Sequence, residues 1–149
     1  MRVLPAATSP VLIVGDRVAQ SGAAAEAVRV AELLGARVYA TVYAEMDYPT
    51  GHPQYLGAVS PGLPFGKEVL SSADAVVAVG TNVFTSLFYT SGHALRTETS
   101  LVHIDSASRE IGKTEPTDVG IVADPGVALN ALADVLERRM SGSAREAAR

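Results

Sequence analysis

Apolar positions along this chain fall into two rhythms. In the first, Val11 to Val14, Ala75 to Val79, Leu101 to Ile104 and Ile121 to Ala123 are apolar on nearly every position. Uninterrupted runs of this kind mark strands covered on both faces, as in parallel sheets sandwiched between helices. In the second, Ala23, Ala27, Val30, Ala31 and Leu34 share one helical face, as do Val127, Leu129, Leu132, Val135 and Leu136. Such stripes belong to helices lying on a sheet.

The punctuation between the runs sets their order. Met1 to Pro10 reads as linker, and the first strand stops at the turn Gly15-Asp16-Arg17. The helix that follows ends at Gly35, a left-handed stop, and Val38 to Tyr43 is the next strand, completing a β-α-β unit with a right-handed crossover. Ala44 to Pro64 is mostly loop with a short strand at Tyr55 to Val59. Phe65 to Ser72 fits a short helix, and the strand Ala75 to Val79 ends at Gly80. Thr81 to Arg96 reads equally as loop or broken helix. The next two strands both stop at a carboxylate, Asp105 and Asp124, and Asp124 caps a helix that begins at Pro125, where the missing N–H costs nothing.

This pattern predicts a doubly wound α/β domain of about six mostly parallel strands, with helices on both faces. In such domains, ligand sites lie at the strand carboxyl ends where the strand order reverses. The expected boundaries are a linker remnant over 1–9, one domain over 10–137 and a tail over 138–149, both ends reading as cut linkers. One domain is also what 149 residues at 48% hydrophobic content can fill.

Composition narrows the function. The formal charge is −4 and the 12 basic residues are scattered, so no basic face is available for nucleic acid. With no cysteine there is no disulfide, thiolate nucleophile or cysteine metal site, which fits a reducing cytoplasm. No apolar run approaches the roughly 20 residues of a membrane span.

Three segments carry a resemblance. His52 to Gly57 (HPQYLG), Ala73 to Phe84 (ADAVVAVGTNVF) and Leu101 to Asp124 (LVHIDSASREIGKTEPTDVGIVAD) are together similar to the central domain of thiamine diphosphate-dependent enzymes, the group of acetolactate synthase, benzoylformate decarboxylase and oxalyl-CoA decarboxylase. The resemblance runs from about Pro10 to Leu136. It implies a Rossmann-like domain of the DHS-like NAD/FAD-binding type, one of three in a homo-oligomeric parent whose cofactor sits between the other two. In that parent, the thiazolium carbanion attacks a 2-oxo acid and releases CO₂, with Mg²⁺ holding the diphosphate. The middle domain itself is expected to be noncatalytic, holding no cofactor or holding FAD or ADP.

The residues agree with a missing reaction centre. The family anchors Mg²⁺ with Gly-Asp-Gly and a following Asn, whereas here Gly15-Asp16 precedes Arg17. The candidate nucleotide site comprises Gly15, Gly80, Thr81, Asn82 and Asp105, with a structural role weighed against it at Gly15 and Asp105, and with backbone amides and Thr81 or Asn82 able to hold a nucleotide. Gly15 and Gly22 lack the G-x-G-x-x-G spacing, and Asp16 opposes phosphate. The segment after Gly80, TNVFTSLFYTSG, has no charge where flavin-binding relatives carry Arg and acidic residues. It resembles instead the non-flavin decarboxylase branch. Asp105 is a candidate ribose acceptor or a cap of the Ser106-Ala107-Ser108 turn. His52, His93 and His103 match no metal-ligand spacing. The tyrosines suit packing and interdomain contact, and Arg138, Arg139, Arg145 and Arg149 a solvated tail. The alternative function is a module holding FAD, ADP or a CoA-like ligand.

Overall fold

A computed structural model describes residues 4–45, 48–85 and 91–139. Six strands form one all-parallel sheet: β1 (Pro10–Val14), β2 (Arg37–Thr41), β3 (Tyr55–Val59), β4 (Ala75–Val79), β5 (Ser100–Asp105) and β6 (Val119–Val122). Their spatial order is β3-β2-β1-β4-β5-β6, so the direction of chain progress reverses between β1 and β4. The helices are α1 (Asp16–Gln20), α2 (Ala24–Leu34), α3 (Pro64–Ser71) and α4 (Pro125–Arg139).

Side-chain alternation explains the unbroken apolar runs. Leu12, Val14, Val77, Val79, Val102 and Ile104 point to the face covered by α2 and α4. Val11, Ile13, Val76, Ala78 and Leu101 point to the opposite face, under α3 and the segment holding Val83 and Phe84. A strand buried on both sides has no polar position to spare. On the first face Arg29 of α2 reaches across to α4, donating to Asn130 at 3.0 Å, Asp134 at 2.9 Å and Glu137 at 3.1 Å.

Four expectations are corrected. The segment before β1 is tied down: Leu4 is buried in the core, and Asp74 accepts from Thr8 N, Thr8 Oγ1 and Ser9 N at 2.6, 2.8 and 3.0 Å. The turn after Gly15 is itself a helical turn, α1. β6, expected to be covered on both faces, is an edge strand that alternates, with Val119 and Ile121 packed inward and Val122 63% exposed. Val127 leaves the α4 stripe at 70% exposure, because it precedes Leu129 by two residues, which at about 100° per residue places it on the opposite side of the helix. Leu129, Leu132 and Leu136 carry the buried face. Asp124 does cap, accepting from Val127 N at 3.1 Å.

Among the described residues, two crossovers contain a helix of eight or more residues, α2 between β1 and β2 and α3 between β3 and β4. The connections from β4 to β5 and from β5 to β6 are irregular in their described parts, apart from one 3₁₀ turn at Ser108–Glu110. Glu115 of the second connection accepts from Ala94 N in the first at 2.7 Å, so the two brace each other. Among the described residues no helix is long and apolar enough to cross a membrane.

Candidate functional site

The turns after β1 and β4 meet where the strand order reverses. Gly15 N donates to Val79 O at 3.1 Å, Arg17 N to Gly80 O at 3.2 Å, and Gly80 N to Ile104 O at 2.8 Å. A Cβ on Gly15 would lie 2.5 Å from both Gly80 O and Thr81 Cβ. Gly80 has φ +58°, and its Cβ would lie 2.9 Å from Arg17 Cβ and Val18 N. Two glycines are therefore required because the backbones touch, and a gap too small for a methyl group has no room for a phosphate.

Beside this contact the Asp105 carboxylate is fully buried and already engaged. Arg17 Nη2 donates to Oδ2 at 2.8 Å, Arg17 Nε lies 2.7 Å from Oδ1, and Ala107 N donates to Oδ1 at 2.7 Å. Paired charges and a backbone amide are what make such burial tolerable. Asp105 thus closes its own turn and fixes Arg17, and both carboxylate oxygens are in use.

A third set of contacts locks the segment after β4. Thr81 is buried, and its Oγ1 pairs with Thr41 Oγ1 and accepts from Val83 N at 3.0 Å. His103 donates through Nε2 to Thr81 O at 3.2 Å and packs edge-on to Phe84. Burial disfavours a charged imidazole, so the His103 pKa lies below its ordinary value. The Thr81 bond and the Asp105 charge oppose this without overcoming it.

A cleft of about 300 Å³ opens over the carboxyl ends of β1 to β4. Asp16, Thr41, Tyr43, Ser60, Leu63 and Asn82 are among its lining residues, and no Lys, Arg or His lines it among the described residues. Of the five candidate site residues, only Asn82 faces this space. Thr81 is held behind it through Thr41, Gly15 and Gly80 form the touching turns, and Asp105 looks toward Arg17. Sequence reasoning missed Thr41, Tyr43 and the Arg17 pairing. No local signal betrays the last, since 88 residues separate the partners.

The histidines lie apart. His52 is 3.5 Å from Glu32, His93 is 3.4 Å from Glu115, and His103 is under the β4 turn. Among the described residues no three His, Asp or Glu come together as a metal site. The residues present therefore do not fit Mg²⁺ with a diphosphate, and the carboxylate of Asp16, which has no cationic partner among the described residues, does not fit a nucleotide phosphate. Tyr48 stacks on Tyr55, and Tyr39 meets Phe65 edge-on, which are packing roles. Tyr89, Arg145 and Arg149 lie outside the described residues.

Comparison with known proteins gives one answer. The family model described as thiamine pyrophosphate enzyme, central domain, matches residues 1–132. An acetolactate synthase of Mycobacterium avium is 31% identical over 136 residues, covering 91% of this chain and 22% of the relative. A sulfoacetaldehyde acetyltransferase of Roseovarius nubinhibens is 32% identical over 129 residues, covering 83% of this chain and 21% of its own length. Among solved structures, a thiamine diphosphate-dependent 4-hydroxybenzoylformate decarboxylase of Rhodococcus jostii RHA1 superposes with a TM-score of 0.78 at 31% identity, over 89% of this chain and 25% of that one. Benzoylformate decarboxylase of Polynucleobacter necessarius gives a TM-score of 0.80 at 25% identity over the same shares. The chain thus spans between a fifth and a quarter of the relatives it matches.

Proposed function

Because this chain belongs to the thiamine pyrophosphate enzyme family as its central domain, we propose that it acts as the noncatalytic middle domain of a larger cytoplasmic enzyme that uses thiamine diphosphate and Mg²⁺ on 2-oxo acids. The parent is a decarboxylase or an acetolactate-synthase-like enzyme, and the partners of this chain are its other two domains within a homo-oligomer. The observation that carries this reading is coverage: most of this chain aligns with 22% of an acetolactate synthase.

The domain's role is then to position its neighbours. A sheet buried on both faces and braced at its crossovers is a rigid spacer. The alternative, a module for FAD, ADP or a CoA-like ligand, is disfavoured by the filled Asp105 site and by a cleft that carries a carboxylate and no base.

The test is turnover. The 149-residue chain, supplied with thiamine diphosphate, Mg²⁺ and pyruvate or benzoylformate, should release no CO₂. The same chain expressed with the coding sequence that flanks it should. Turnover by the isolated chain would overturn the noncatalytic assignment, and flanking sequence with no Gly-Asp-Gly motif would overturn the parent.

A further inference from the structure

The cleft over β1 to β4 has a chemistry that the domain's spacer role does not use. It goes beyond the reading above and holds whichever reaction the parent performs. Its volume, about 300 Å³, is at the small end of the roughly 300–1,000 Å³ typical of small-molecule sites. That suits a single ring and a short chain rather than a dinucleotide.

Its polarity is one-sided. Asp16 is half-buried at the cleft, and its carboxylate makes no hydrogen bond or ion pair with any described residue. The base nearest in sequence, Arg17, is committed to Asp105 on the far side of the β1–β4 contact. The Ser60 hydroxyl and the Asn82 amide also face the cleft with no side-chain partner among the described residues. Its accessible apolar surface comes from Leu63, which is 52% exposed, whereas Val59 and Val83 lie beneath the cleft at 0% and 2% exposure.

Tyr43 supplies the second recognition element. It stands on the rim with 92% of its surface exposed and its backbone at φ +65°, a conformation that costs a non-glycine residue free energy. Strained residues of this sort concentrate at ligand clamps. The aromatic face attracts cations through its quadrupole, and the carboxylate in the cleft attracts them through its charge.

We propose that this cleft binds a small organic cation, an ammonium or guanidinium group on an aryl or short alkyl body. The charged group would pair with Asp16 and lie against Tyr43, and the body would rest on Leu63. Anionic ligands, phosphates included, are rejected by the same carboxylate.

The test is a titration of the ¹⁵N-labelled 149-residue chain with 2-phenylethylamine, 3-phenylpropionate and ADP. The amine should give saturable amide shifts at Thr41 to Ala44, Ser60 to Leu63 and Asn82 to Thr85, and the two anions should not. Asp16→Asn should weaken the amine at least tenfold. Tyr43→Gly, which relieves the positive φ and leaves the rest of the spectrum in place, should weaken it severalfold, and this variant decides the matter if Asp16→Asn perturbs the fold. Binding of 3-phenylpropionate or ADP as tight as that of the amine would overturn the proposal. So would the absence of any saturable shift with the amine, or full affinity in both variants.

Discussion

Single residues at the strand ends carry more of this fold than their size suggests. Gly80 combines a left-handed backbone with a contact that a methyl group would violate. Gly80→Ala should therefore cost at least about 1–3 kcal/mol from backbone conformation alone, and more from displacing α1; urea unfolding measures it. Glycine at this strand end was legible in the sequence. Its cause, the approach of Arg17 and Val18, was not, because it depends on a neighbour more than sixty positions away. His103 gives a different prediction. Its folded pKa lies below 6.5, so its contribution is complete above that value. As pH falls below 6.5 the unfolded chain takes up the proton first, and stability declines until the folded pKa is passed. His103→Gln keeps a donor for Thr81 O and should flatten stability across that window; an unchanged slope would remove His103 as its source. Asp74 acts lower. Burial pushes its carboxyl up, but the bonds from Thr8 and Ser9 outweigh this, so its contribution is present above 3.8 and lost as pH falls through the lower folded value.

At the scale of elements, the central strands and both long helices were legible, because burial on two faces and helical spacing write themselves into composition. β4 spans Ala75–Val79 as its apolar run predicts, and Gly35 ends α2 at φ 61°. The edges were not legible. In sequence β6 resembles a central strand, and only its place beyond β5 decides that Val122 faces out. α1 was read as a turn because five residues cannot show a period. The α4 stripe separates residues that pack from residues that merely share the spacing. Leu129 is fully buried and Val127 is 70% exposed. Leu129→Ala should cost about 2–5 kcal/mol, whereas Val127→Ala should stay within about 0.5 kcal/mol. Thermal unfolding of the two variants checks the assignment, and equal losses would mean that α4 is rotated from its described position.

At the scale of the whole molecule, the turns after β1 and β4 close part of the switch point and leave the cleft beside them. Reversal of strand order between β1 and β4 ordinarily leaves a crevice for a ligand. Here the glycine turns touch, and the Arg17–Asp105 pair ties the helix after β1 to the end of β5 across β4. This pair is asymmetric, with the Asp105 side chain fully buried and that of Arg17 22% exposed. Losing the arginine should therefore hurt more than losing the carboxylate charge. Arg17→Met strands a buried carboxylate with one amide donor, a change that costs about 3–5 kcal/mol in buried pairs, at the lower end here because water reaches Arg17. Asp105→Asn keeps an acceptor for Ala107 N and leaves an arginine that can turn to solvent, so its loss should be smaller. Arg17→Lys should fall between, since an ammonium cannot span both carboxylate oxygens. Denaturant unfolding of the three variants fixes the order. A greater loss in Asp105→Asn than in Arg17→Met would mean that the pair is held for the guanidinium, as in a site where a substrate later displaces Asp105 from Arg17. The expected order would mean that the arginine serves the carboxylate, as the burial of Asp105 indicates.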